Sequence, residues 1–421
     1  MLQPFGQPPA LSRCVLALLI PLGLGAGPCD SCHPKEAAAS SHSVMARSLR
    51  RAGAEPEGTF TTSSGVRFTI RSGPAGTWHR MERDGNAFEY PVAYVIGSGS
   101  HAAGYLIEVA DHLFQSPICY YTSRRSYDLA PGYERIAAPD FTRPVDEECV
   151  LCHSGRALHV RGSANRYTQP VFREEAISCE RCHGPVEAHL RRPVPGSIIN
   201  PAKLKPPARD SVCEQCHLAG VTRVLNPGKS FGDFHPGQRL EDVFTVYVRV
   251  SSGANGRPFK VISHAEQLAQ SACARNSNGR LWCGTCHDPH PASPATAQTY
   301  TEACESCHQG RLPRSHLETA NCARCHMTRR PVQDGGHTVF TDHRITRRPE
   351  SDESPPATEE VAAWRDPPLE FASRNVALAN LYAGIAARSP AQIVHGYRML
   401  TEVQKTAPDD VAVLKGIGRA L

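Results

Sequence analysis

Apolar and polar residues alternate from Thr59 to Arg71, where Phe60, Val66, Phe68 and Ile70 stand among threonines and serines. A period of two predicts strands with one buried face, and Tyr90–Ile96 and Asp242–Val250, rich in Val and aromatic residues, predict two more. The first two belong to a small β-rich insertion near the N-terminus, about residues 58–125. From Cys149 onward the pattern changes to short helical turns separated by proline-rich loops such as Pro193–Pro207. Acidic residues and prolines then cluster over residues 347–368, RRPESDESPPATEEVAAWRDPP, which reads as a linker.

Residues 369–421 are Ala- and Leu-rich and predict helices, with Gly384 and Gly418 thirty-four residues apart and Pro408-Asp409 between them. That spacing is tetratricopeptide-repeat-like, with Leu400 and Val403 where the second helix would pack; a plain helical hairpin fits equally. Stacked repeats need several neighbours, so the segment reads as a truncated array.

Cysteine changes this picture most. Seventeen occur in 421 residues, and fourteen form seven Cys-x-x-Cys-His motifs. These are Cys29-Cys32-His33, Cys149-Cys152-His153, Cys179-Cys182-His183, Cys213-Cys216-His217, Cys283-Cys286-His287, Cys304-Cys307-His308 and Cys322-Cys325-His326. Two thiols three residues apart reach the two vinyl groups of one haem as thioethers, and the imidazole directly after them becomes a ligand of the iron. Structural zinc also uses paired Cys-x-x-Cys units, but it has no need of a histidine after every second cysteine. The motifs therefore predict seven covalent haems c. The fold expected is mainly α and irregular and packed around haem, over residues 28–346, with the β-rich insertion and the helical repeat-like C-terminus as additions.

Attachment of this kind takes place outside the bacterial cytoplasm, so export is required. Arg13 precedes an apolar run, Cys14–Leu24, followed by the small residues Gly25-Ala26-Gly27. Residues 1–27 thus read as a signal peptide or N-terminal anchor, and the product as periplasmic or otherwise exported, soluble or membrane-tethered. No other stretch has the length of a transmembrane helix. Thirty-five prolines and thirty-three glycines argue against a simple helical bundle. The formal charge of +5 omits two propionates per haem, and nothing supports binding of nucleic acid.

Twenty histidines less the seven in motifs leave thirteen, enough to give every haem a second imidazole. By position the candidates are His101 in a Gly-Ser loop, His189 six residues after His183, His264, His290 three after His287, His316 between two motifs, and His337 and His343 after the last motif. His42, His79, His112, His159, His235 and His395 are weaker candidates. Met45, twelve residues past His33, is the one thioether candidate, and such a ligand would raise its haem's potential. Cys119 and Cys273 fall outside the motifs, as a disulfide pair or as free thiols.

The segments CERCHGPVEAH (Cys179–His189), SHAEQLAQSAC (Ser263–Cys273), CGTCHDPH (Cys283–His290), NCARCHM (Asn321–Met327) and HTVFTDHRI (His337–Ile345) resemble a bacterial family of multihaem cytochromes c. In that family a region similar to the tetrahaem electron carrier of the hydroxylamine pathway precedes tetratricopeptide repeats. The resemblance spans roughly Cys29–Arg347. Pentahaem nitrite reductases and octahaem hydroxylamine oxidoreductases are more distant relatives by haem arrangement. The resemblance implies bis-histidine, low-potential haems with packed porphyrins and supports His189, His264, His290, His316, His337 and His343 as distal ligands. It implies no substrate.

The expectation is an exported cytochrome that relays electrons between redox protein partners, with docking through the helical C-terminus. The alternative is an oxidoreductase acting on a small nitrogen or sulfur compound at one haem of open coordination. Nitrite reductases of the related family mark their active haem with Cys-x-x-Cys-Lys, and all seven motifs here end in His. A hydroxylamine-type site adds a tyrosine crosslink, for which nothing singles out Tyr120, Tyr121 or Tyr133. A scaffold whose haems are mainly structural is the third reading.

Overall fold

The computed structural model describes residues 28–250, 259–290, 295–308, 321–347 and 360–421. The N-terminal apolar run, His316 and most of the expected linker lie outside the described residues. Alternation in the first third of the chain becomes one antiparallel sheet of eight strands: β1 (Leu49–Arg51), β2 (Gly58–Thr61), β3 (Arg67–Gly73), β4 (Gly76–Arg83), β5 (Asn86–Ile96), β6 (Ala102–Val109), β7 (His112–Tyr121) and β8 (Ser126–Leu129). Strands β2 to β8 run as a meander, and β1 pairs with the end of β5, Leu49 opposite Ile96. The β4–β5 turn is Asp84-Gly85, both at positive φ, 51° and 77°, the hairpin geometry that matches the twist of the flanking strands. The ends of the meander come together. Tyr127 of β8 lies over Gly58 of β2, where any Cβ would come within 2.8 Å of its ring, and its hydroxyl donates to the Pro56 carbonyl at 2.6 Å. The sheet thus nearly closes into a barrel.

The barrel is filled by its own side chains. Phe68, Ile70, Met81, Tyr105, Ile107 and Ile118 form the interior. The opposite face of β5–β7 is covered too. Tyr94, Leu106 and Leu113 pack with Val145, which precedes the helix Glu147–Leu151, with Val150 of that helix, and with Tyr167 and Phe172 of β10 (Tyr167–Glu174), which pairs with β9 (Arg156–His159). This second face seats the Cys149 motif against the barrel.

The expectation of a mainly α and irregular chain with a small β insertion is overturned. The sheet begins at Leu49 and ends at Leu129, beyond the expected limits, and seven further strands follow among the described residues. The physical reason lies in the motifs: a Cys-x-x-Cys-His unit needs only one helical turn, so seven motifs contribute little helix, while the long interval between the first two leaves room for a complete sheet.

β11 (Thr222–Leu225) and β12 (Phe244–Arg249) form a second sheet, and β13 (Arg329–Pro331) pairs with β14 (Val339–Thr341) after the last motif. β15 (Val361–Ala363), within the segment read as linker, joins β12. Three helices, Ala372–Ala387, Pro390–Thr406 and Val411–Ala420, cover this sheet through Leu378, Leu381, Leu400 and Val413 against Val224, Tyr247 and Val361. Gly396 permits the close crossing of the first two, since a Cβ there would lie 2.5 Å from the Leu381 nitrogen. Buried Arg374 fixes the unit, donating to the Leu225 carbonyl at 2.8 Å and to Asp410 at 2.6 Å. Among the described residues no helix is long and apolar enough to cross a membrane.

Candidate haem-binding site

Each motif is built on a tight helical turn. The His33, His183 and His287 amides donate to the carbonyls of Cys29, Cys179 and Cys283 at 2.8, 2.9 and 2.9 Å. Such i, i+4 bonding places the two thiols of a motif on one side of the turn. The turns are anchored from outside. Asp146 caps the Cys149 helix by accepting from the Cys149 amide at 3.0 Å, and Glu147 accepts from Ser230 Oγ, the Phe231 amide and the Gly232 amide at 2.7, 3.1 and 3.1 Å. Arg181 donates to the Leu151 carbonyl at 2.7 Å, tying the third motif to the second.

The motif histidines face second imidazoles at a telling distance. An iron held between two imidazole nitrogens at about 2 Å each sets the ring centres roughly 6 Å apart. His33 and His189 lie 6.3 Å apart with planes at 25°, His183 and His290 5.9 Å apart at 27°, and His287 and His343 6.1 Å apart at 30°. His217 and His264 lie 5.1 Å apart at 82°, and His264 stands 4.7 Å from His343, so two of these pairs meet. Burial, and then the neighbouring His343, His287 and His153, push His217 down to about 4; burial and the imidazoles of His217, His343 and His287 push His264 further down. Both rings are held neutral, the form that binds a metal.

Tautomers point the same way. His183 Nδ1 lies 2.7 Å from the Ile199 carbonyl, His343 Nδ1 2.9 Å from the Thr341 carbonyl and His326 Nδ1 2.7 Å from the Thr346 carbonyl. A carbonyl only accepts, so Nδ1 carries the proton and Nε2 keeps its lone pair for iron. His189 Nδ1 is engaged by Ser197 Oγ at 2.8 Å. His189 also borders a cavity of about 430 Å³ walled by Pro193, Val194, Ile198, Ile199 and Leu204, an apolar lining suited to a macrocycle. Among the described residues no three His, Cys, Asp or Glu side chains gather to hold a bare metal ion. The donor set fits haem, with thiols in pairs and, for His33, His183 and His287, a second imidazole centred about 6 Å from the first.

The thiols give the motifs a spatial order. Side chains meet between Cys29 and Cys179, Cys152 and Cys216, Cys213 and Cys283, and Cys304 and Cys322. The first motif therefore adjoins the third, the second the fourth, the fourth the fifth and the sixth the seventh.

Other expected residues are placed differently. His101 stacks on Phe340 at 4.4 Å, and His337 Nε2 bonds Asp128 at 2.7 Å beside the ring of Tyr121, so both sit where the barrel meets the β13–β14 hairpin. Met45 lies in a turn whose carbonyl accepts from the Ser48 amide, and Ser48 Oγ donates to the His153 carbonyl at 2.6 Å. His316 falls outside the described residues. His79 is fully buried in the barrel, bonded to Ser116 Oγ at 2.8 Å, and burial pushes it down to about 3. Cys119 is a buried free thiol on β7, pushed up to about 12 by burial, and Cys273 is free as well. The supports of the site, Glu147, Arg181, Ser197 and the carbonyls of Ile199 and Thr341, carry no sequence signature, since each is defined by a partner distant in the chain or by a backbone atom.

No protein-family model matches the chain, and no curated protein does. Two solved structures are similar to it. One is described as the outer cell wall cytochrome OcwA, with 16% identity, 76% of this chain and 79% of that one covered, and a TM-score of 0.47. The other is described as an undecahaem cytochrome from the S-layer of Carboxydothermus ferrireducens, with 15% identity, 78% of this chain covered and a TM-score of 0.32; the match spans 62% of that longer chain.

Proposed function

We propose that the chain is an exported c-type cytochrome in which seven covalently bound haems relay electrons between redox protein partners. The single observation that carries this is the pairing of three motif histidines, His33, His183 and His287, with second imidazoles at 5.9–6.3 Å. Haem bound there would supply one-electron exchange at iron. The protein's own groups do the rest. Cys29, Cys32, Cys149, Cys152, Cys179, Cys182, Cys213, Cys216, Cys283, Cys286, Cys304, Cys307, Cys322 and Cys325 would form the thioethers, and His33, His153, His183, His217, His287, His308 and His326 would sit beneath the irons. His189, His290, His264 and His343 would close the sixth positions of the first, third, fourth and fifth motifs. His101, His337, His316 and Met45 remain candidates for the other three.

Thiol contacts between motifs support a run of closely spaced haems in which the fourth motif touches both the second and the fifth. Short separations are what electron transfer requires of a protein that must hold its haems in fixed places. The C-terminal helices, fastened to β11 through Arg374, would offer a rigid docking surface.

The test is low-temperature electron paramagnetic resonance on the oxidised protein with a pyridine haemochrome count. Seven covalent haems, all low-spin, are expected. Fewer haems would remove motifs from the set, and a high-spin signal that shifts on adding nitrite or hydroxylamine would replace the electron carrier with the oxidoreductase.

A further inference from the structure

A buried charge cluster unrelated to iron ligation stands beside the fourth motif. Glu214, between the two cysteines of that motif, has a side chain only 9% exposed. Its carboxylate accepts from Trp364 Nε1 at 3.1 Å and from the Arg365 guanidinium. The other arm of Arg365 donates to Glu241 at 3.1 Å, and Glu241, 3% exposed, also accepts from Arg239 Nε at 3.2 Å. Two carboxylates and two guanidinium groups therefore balance within one cluster.

Its position gives the cluster meaning. Glu214 directly follows Cys213, whose side chain meets that of Cys283 where the fourth and fifth motifs touch. Trp364 and Arg365 follow β15 directly, and the Trp364 amide donates to the Val246 carbonyl at 2.8 Å, so Arg365 arrives directly after a strand already locked to the second sheet. A bare buried anion beside an iron centre favours the oxidised, more positive state, and little water is present to screen it. Burial also pushes the Glu214 carboxyl up, and Arg365 and Trp364 oppose that push.

We propose that Arg365 is a positioning residue for the haem of Cys213, Cys216 and His217: it holds Glu214 in place, offsets its charge, and so keeps that haem's reduction potential above the value the carboxylate alone would impose. The C-terminal unit is in this way part of the redox machinery through one side chain. The inference rests on the fourth motif carrying a haem.

Redox titration of the full holoprotein, followed by visible absorption and paramagnetic resonance, tests it on Arg365→Gln, Glu214→Gln, the double variant and Arg365→Lys. Arg365→Gln should lower one midpoint potential, changing that haem's reduction equilibrium about tenfold, which is 59 mV for one electron. Glu214→Gln should raise the same potential, the double variant should return most of the way, and Arg365→Lys, which keeps the charge but not the planar fork, should stay near the native value. A clamp of purely structural value would not give opposite signs. No shift, or shifts of one sign, overturns the inference while seven covalent haems in every variant leave the haem assignment standing. A native protein without haem on Cys213 and Cys216 overturns that assignment instead.

Discussion

In the barrel Phe68, Ile70 and Tyr105 are each at most 1% exposed, whereas the motif helices Glu180–His183, Cys283–Cys286 and Cys322–His326 bury no residue at all. The barrel closes over a core made of its own side chains and needs nothing else to hide apolar surface. These three helices are four or five residues long, below the length at which a helix stands alone, and they bring no core with them, unlike the motif helices Glu147–Leu151, which buries Val150 and Leu151, and Ala208–His217, which buries Val212. Under the proposed function, their cohesion would come from the faces of the porphyrins they attach. One chain thus contains a region with a dense core of its own and short motif helices without one.

The sharpest test of that contrast removes one cofactor. Cys283→Ala with Cys286→Ala should delete one covalent haem, and protease cleavage between residues 283 and 326 should accelerate at least about tenfold while residues 49–129 stay resistant. Fragment masses from limited proteolysis read both, and equal resistance in the two regions would erase the distinction. The converse change strikes the barrel. Phe68→Ala should cost about 3–5 kcal/mol in denaturant unfolding of the sheet with haem content unchanged at seven, because it opens a cavity in a filled core.

A smaller effect is expected from His264→Ala. Haem content should hold and one low-spin haem should become high-spin; an unaltered resonance spectrum would strike His264 from the ligands. Smallest is a pH effect confined to the barrel. His79 is held neutral in the fold, pushed down to about 3, whereas the unfolded chain takes up a proton near 6.5. Its folded value is depressed, so the unfolded state binds more protons below pH 6.5, and barrel stability should fall from there toward pH 3 and be level above 6.5. His79→Gln should flatten that slope in urea unfolding measured at pH 7, 5 and 4, and an unchanged slope would assign it to other groups.

Strands were legible where alternation was regular. Thr59–Arg71 contains parts of β2 and β3, Tyr90–Ile96 the end of β5, and Asp242–Val250 the whole of β12. What alternation could not convey was that β2 and β8 meet, because closure depends on the accumulated twist and on one residue pair, Tyr127 over Gly58, sixty-nine positions apart. The linker reading concealed β15, whose three residues are too few for any periodicity to register. In the site, each motif declared itself, since both thiols and the first imidazole lie within five residues. The partners did not: His343 faces His287 across fifty-six positions, and His337, equally plausible by spacing, turns to Asp128 of the barrel.

By itself, then, the sequence determined what is local: seven Cys-x-x-Cys-His motifs, because their spacing is a property of five consecutive residues. Only the tertiary structure decided which imidazoles meet, which motifs adjoin, that the first third closes into a barrel, and that Arg365 reaches Glu214. Each of those depends on the summed packing of elements far apart in the chain, which no window of neighbouring residues contains.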